Sequence, residues 1–384
     1  MNAHNNDFVI KGHTLVDYRG SEAQVTVPEG VTAIGSKAFY GCGSLEEIFL
    51  PDGLEYIRGW AFAFCHKLAD VTLPNSVRYI DPHAFNMCTA LTSINLPKDV
   101  HEISEYTFFG CESLRSVVLP KSVRKIGSSA FKNCINLSHI ELPKSLQTIE
   151  YDAFGTTGLR SLHIPAAVNS IGAWKGVDYH GARFAPAEAL DCPYLERITV
   201  DVQSGRFDSR EDCNALIRTR HNVLALGCSN TVIPDSVTAI GEKAFRGLRG
   251  LRHMAIPDSV TRIDRAAFAY CKHLEQVTFG KGLKEIGDGA FTHCAHLRSI
   301  ELPEGLEQLG ESSFSHCSSL KSVRIPDSVT RIGIFAFSEC TSLERVWIGK
   351  GLLELYPRVF ADCPNLREII VDPENPRLSS RVLR

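Results

Sequence analysis

The chain has 384 residues, of which 44% are hydrophobic, and its 41 basic and 44 acidic side chains leave a formal net charge of −3. That balance gives no electrostatic footprint for nucleic acid or an anionic membrane surface, and no apolar run approaches the roughly 20 residues needed to cross a bilayer. The opening, Met1–Asp7, is polar, without a basic stretch leading into an apolar one, so no secretion signal is expected and a cytoplasmic location is favoured.

Two short apolar runs come first, Phe8–Ile10 and Thr14–Val16, ahead of Val25–Val27 and Pro28. They predict an N-terminal hairpin over 1–27 that caps the apolar end of the first repeat block. From 28 to about 200 the sequence repeats itself. Phe39, Phe62, Phe85, Phe108, Phe131 and Phe154 are each 23 residues apart. Cys42, Cys65, Cys88, Cys111 and Cys134 follow their Phe by three, and Leu45, Leu68, Leu91, Leu114 and Leu137 follow by six. Leu159 comes only five after Phe154, so one residue is missing there, and an insertion falls at about 174–186 before Cys192, Leu195 and Ile198 resume the register. A second hairpin is predicted over 201–233 from Ala215–Arg218 and Val223–Leu226. A second repeat block occupies 234–371, with Phe245, Phe268, Phe291, Phe314, Phe337 and Phe360 again 23 apart. Residues 372–384 begin a third copy of the hairpin segment: Val371-Asp372 with Arg377-Leu378 matches Val200-Asp201 with Arg206-Phe207. Phe207 stands outside the Phe comb and is expected to matter less to the core than a comb Phe.

One unit, 120–142, shows why copies must stack. Ile140 and Leu142 have the spacing of one strand face. Val123 and Ile126 anchor a second extended segment, and Ala130, Phe131 and Cys134 have room for about one helical turn. Three or four inward anchors in 23 residues cannot be buried alone, and stacking buries them. The reading is a repeat solenoid over 1–384 with 23-residue coils, one parallel strand sheet, and short extended segments and helical turns on the other side.

The pattern Leu-Pro-x-x-Val-x-x-Ile-Gly-x-x-Ala-Phe-x-x-Cys-x-x-Leu-x-x-Ile at 119–140 resembles the BspA-like leucine-rich repeat, and the resemblance covers essentially the whole chain. It implies a leucine-rich-repeat solenoid of the kind found on bacterial cell-surface proteins that bind other proteins or host surfaces. It implies no catalytic residue, because the shared motif holds only core and turn positions. It favours a cell-surface location, against the missing secretion signal.

The residues themselves add little chemistry. The Cys spacing of 23 is not that of a zinc motif, and the ladder reads as buried thiols packing as small hydrophobes. Cys213 and Cys228 flank the second hairpin, where a disulfide is open to them. His293 and His316 share one repeat position, and His273 and His296 another. They fall on turns and read as solvated residues rather than as three or four converging ligands. No nucleophile elbow, phosphate loop or dinucleotide motif is present. No metal, cofactor or catalytic residue is therefore assigned.

What remains is surface. The outward strand positions are mostly small or polar, apart from Phe49 and Trp347, and Trp347 has Arg324 and Arg345 on neighbouring outward positions. Exposed aromatics with Arg nearby are common interface anchors. The insertion contributes Trp174, Tyr179 and Phe184, and loops on rigid scaffolds often bind. The expected function is a non-catalytic scaffold binding a protein or peptide, most simply as a monomer. The alternative is an adhesion or glycan-binding module of a bacterial envelope, docking on a host or envelope surface.

Overall fold

The computed structural model describes residues 7–173, 190–379 and 381–382. The chain divides into two compact units, Met1–Cys192 with Asp201–Ser204 and Pro193–Val200 with Gly205–Arg384. Both repeat the same 23-residue coil. Most coils turn at a Pro, whose carbonyl accepts the N–H three residues on, as Pro120 does from Val123 at 3.1 Å; Gly280 takes that place in one coil, accepting from Leu283 at 3.3 Å.

The solenoid is of the expected type, and two details differ. Where one sheet was expected, each unit carries parallel strands on two sides of the coil. In the first unit, Gln24–Thr26, Glu47–Phe49 and Asp70–Thr72 form one ladder. The Val-x-x-Ile segments form another: Ala33–Ile34, Tyr56–Ile57 and Tyr79–Ile80, then Glu102–Ile103, Lys125–Ile126 and Thr148–Glu150. The second unit repeats this, from Ala239–Ile240 through Arg331–Ile332 on one side. On the other side lie Ser322–Ile325, Arg345–Ile348 and Glu368–Val371.

The second difference lies in the Ala-Phe turn, which is not helical. No α-helix occurs among the described residues, and Arg210–Asp212 is a 3-10 turn. Residues two before and two after the comb Phe are left-handed: Trp60 (φ 64) and Phe64 (φ 63), Ser129 (φ 53) and Asn133 (φ 62). Left-handed residues four apart break an α-helix. They also turn alternate N–H groups out of the coil. Trp60, Phe62 and Phe64 donate to Pro82, Ala84 and Asn86 of the next coil, at 3.3, 2.8 and 2.8 Å. Ala61, Ala63 and Cys65 donate within the coil to Arg58, Trp60 and Phe62. Every backbone donor of the turn is thereby satisfied, as burial requires.

The core is a column of rings. Phe39, Phe62, Phe85, Phe108, Phe131 and Phe154 are buried, and successive ring centroids lie 5.2–5.7 Å apart. In the second unit Phe245 and Phe268 stack at 4.7 Å and 4°, and the column continues to Phe360. The hairpin Phe8–Lys11 with Thr14–Tyr18 closes the first column, with the Tyr18 ring 5.0 Å from Phe39. At the start of the second column, the hairpin Ala215–Arg218 with Val223–Gly227 places Gly227 against Phe245. A Cβ there would lie 2.0 Å from the ring, so the position requires glycine. Phe207 is only 7% exposed. Contrary to expectation it is a core residue, because its strand, Phe207–Asp208, pairs with Ala215–Arg218 and turns the ring inward.

All thirteen Cys are free thiols. Cys213 and Cys228 are buried and not bonded to each other, and the Cys228 thiol donates to the Asn214 carbonyl at 3.2 Å. Burial pushes the Cys65, Cys111, Cys271 and Cys317 thiols up to about 12.

Candidate interaction surfaces

The outward strand face of the second unit brings three of the expected residues together. Arg324, Trp347 and Ile370 lie side by side on adjacent strands, in register. Alternation along each strand turns Val323, Val346 and Ile369 into the core and leaves this row facing out. Trp347 is 37% exposed. Arg345 lies two residues before Trp347 on the same face, and its guanidinium reaches Glu368 of the next strand at 3.6 Å. Arg345 is thus committed to a carboxylate, and Arg324 is the arginine in register with the indole.

Phe49 is 48% exposed, but its neighbours in register are Thr26 and Thr72, so it stands alone on its face. Trp174, Tyr179 and Phe184 lie outside the described residues.

The sequence reading missed a larger aromatic surface on the turn edge of the first unit. Trp60 and His83 stack at 3.9 Å and 8°, and His83 and Tyr106 at 4.7 Å and 3°. Phe64 packs edge-on against Tyr40 at 5.4 Å, and Phe109 lies 5.7 Å from Tyr106. Tyr40 is exposed and the others are half-buried. Burial holds the His83 imidazole below the usual range, and its Nδ1 lies 3.0 Å from the Asn86 amide nitrogen. The signal was in the sequence: the column two before the comb Phe reads Lys37, Trp60, His83, Tyr106. A smaller stack, Tyr56 on Tyr79 at 5.0 Å and 4°, stands on the short-strand face with Arg58 over Tyr56 at 4.4 Å.

The charged side chains nearest the core are neutralised in place. Buried Glu150 accepts from Lys125 at 3.1 Å and from the Ser128 N–H at 3.2 Å. Lys125 also binds Glu102 at 2.8 Å. His293 and His316 stack at 4.0 Å, but parallel rings aim their lone pairs the same way and do not converge on one ion. Among the described residues no group of three His, Cys, Asp or Glu is placed to hold a metal. No described helix is long and apolar enough to cross a membrane.

A coil of this period, with a comb Phe, a thiol and paired short strands, matches the model of the BspA type leucine rich repeat region. The match spans residues 18–117, 101–175, 225–321 and 261–383. The chain belongs to this family. Among solved structures, this BspA-type chain is similar to a leucine rich cell surface protein from Faecalibacterium prausnitzii A2-165. The two are 26% identical with a TM-score of 0.59, over 95% of this chain and 92% of that one. A leucine-rich repeat protein from Bacteroides ovatus ATCC 8483 shares the fold at 22% identity and a TM-score of 0.53, over 96% and 85% of the two chains. The pneumococcal vaccine antigen PcpA does so at 18% and 0.50, over 92% and 69%. No curated protein matches the chain significantly.

Proposed function

We propose that this BspA-type chain is a non-catalytic interaction scaffold, monomeric by itself, that docks a protein or peptide on the strand face of its second unit. The observation that carries the reading is the row Arg324, Trp347 and Ile370, a half-exposed indole flanked in register by a cation and an aliphatic side chain. A peptide side chain laid on the indole gains apolar burial, and a nearby guanidinium adds polar specificity. Arg345, held by Glu368, borders the row. The 174–186 segment with Trp174, Tyr179 and Phe184, and the isolated Phe49, are further contact candidates on the same scaffold.

A second reading is an adhesion or glycan-binding module of a bacterial envelope protein, facing a host or envelope surface. The likeness to the F. prausnitzii cell surface protein favours it. One experiment separates the two. Partners captured from a lysate are rebound to wild type and Trp347→Ala, alongside a glycan array. The scaffold reading expects a protein partner whose affinity falls tenfold or more with an unchanged melting temperature. A variant that melts several degrees lower makes Trp347 a packing residue and removes the site. Binding confined to glycans selects the second reading.

A further inference from the structure

Tyr270, His293, His316 and Glu339 occupy one turn position on four successive coils, two residues after the comb Phe. All four backbones are left-handed, with φ of 62, 60, 60 and 55°. Their N–H groups are tied to the next coil, at Thr292, Ser315, Ser338 and Ala361, over 2.8–2.9 Å. The side chains therefore project from a fixed ladder. Tyr270 stacks on His293 at 4.7 Å and 11°, and His293 on His316 at 4.0 Å and 11°. The Glu339 carboxylate lies 3.1 Å from His316 Nδ1.

This geometry makes the two imidazoles unequal. A proton on His316 is neutralised by Glu339. A proton on His293 faces a Tyr ring on one side and His316 on the other, with no carboxylate in contact. Two imidazolium rings held face to face 4.0 Å apart repel strongly, since the intervening space is ring and not water. The remaining charges nearby do not offset this. Glu339 favours a charge on His293 and Lys272 disfavours it, and the attraction to Glu339 is outweighed by burial and by His316; Arg246 sits over Tyr270 at 5.2 Å, and Asp362 occupies the coil beyond Glu339. His273 and His296 form a separate pair, 5.4 Å apart, with His296 Nδ1 2.5 Å from the Lys272 carbonyl.

We propose that this column is a one-proton switch: in mildly acid solution it takes a single proton from solvent, held on His316 against Glu339, and that charge keeps His293 neutral. Burial, and then the neighbouring His316, push the His293 imidazole below the usual range, which agrees. The edge then gains one positive charge on acidification where two separate histidines would gain two. The switch is independent of the strand-face reading and needs no partner to be observed.

The test is an NMR titration of the histidine ring carbons in the full chain from pH 8 to 4.5, for wild type, His316→Gln and Glu339→Gln. The pair titrates in two steps about one unit apart or more, with the lower step at His293. Removing the ring in His316→Gln raises the His293 midpoint by about half a unit or more. Removing the carboxylate in Glu339→Gln lowers the pair's first step. An unchanged His293 midpoint in His316→Gln overturns the proposal, and so does a first proton that lands on His293. If His316→Gln fails to fold at pH 8, Glu339→Gln decides alone, because it keeps both rings: an unmoved first step refutes the switch.

Discussion

The thiol of Cys65 donates a hydrogen bond to the carbonyl oxygen of Phe39, 26 residues earlier and 3.0 Å away. The same bond recurs from Cys88 to Phe62, Cys111 to Phe85 and Cys134 to Phe108, and from Cys271 through Cys363 to Phe245 through Phe337. The Phe62 carbonyl already accepts the Cys65 N–H at 3.2 Å, so the thiol of the next coil fills its second lone pair. The comb Cys is therefore a donor as well as a small apolar filler. Cys88→Ala is expected to cost about 1–3 kcal/mol, from the cavity and the loss of the second bond to the Phe62 carbonyl together, measured by denaturant melts.

The thiols are expected to alkylate in order of position. Cys42 and Cys363 are partly exposed and their thiols are pushed up only to about 11, whereas Cys111 and Cys317 are buried. Timed alkylation with peptide mass mapping should label Cys42 and Cys363 first. Cys213 and Cys228, both buried, should label with the core. Early labelling of Cys111 would contradict the packing described.

Phe131 lies between Phe108 and Phe154, at 5.4 and 5.5 Å. Phe131→Ala is expected to cost about 3–5 kcal/mol. Phe49→Ala, on the exposed strand face, should stay within about 0.5 kcal/mol of wild type. Phe207→Ala should resemble Phe131→Ala in sign and exceed Phe49→Ala. Equal losses at Phe131 and Phe49 would falsify the ring column as the core.

Two neighbouring positions should respond to opposite substitutions. Thr156 is exposed and β-branched at φ 58, a conformation that costs a side chain about 1–2 kcal/mol. Thr156→Gly is expected to be stabilising, by up to about 1 kcal/mol after the added backbone entropy. At Gly158 a Cβ would lie 2.6 Å from the Ile135 carbonyl oxygen, so Gly158→Ala should destabilise. Melts of the two variants showing the same sign would count against this turn geometry.

Stability should fall in mild acid. Burial holds His83 and His293 below the usual histidine range, so the unfolded chain binds their protons more readily than the folded one. The stability they report is intact above about pH 6.5 and is lost as pH falls below it. Melting temperatures taken from pH 8 to 5 should decline, and His83→Gln should flatten the decline.

The repeat was legible in the sequence because Phe, Cys and Leu each keep one place in a 23-residue period. The outward row at Trp347 was legible too, since alternation along a strand fixes which residues leave the core. The left-handed turn was not. Its positions hold residues such as Lys37, Trp60, His83 and Tyr106, with glycine only at scattered ones such as Gly41, Gly110 and Gly247, and Ala-Phe-x-x-Cys imitates one helical turn. The turn-edge aromatics were missed for the same reason: only the buried columns of that turn were read. The second ladder was hidden by its length, as strands of two residues such as Lys125–Ile126 carry no alternation to detect.

The alternating N–H groups of the turn have a consequence for how such a gene can change. Each coil offers its successor the same donors and receives the same acceptors, so a coil duplicated or deleted as a whole meets a partner it already fits. A copying error of 23 codons, one full period, lengthens or shortens the protein and leaves every interior bond available. An error of one codon does not, and the missing residue before Leu159 shows its scar: the backbone there passes so close to Ile135 that glycine alone fits at 158. Length is thus an easily varied trait in this architecture, and the exposed columns are free to diverge coil by coil while the buried ones are copied unchanged.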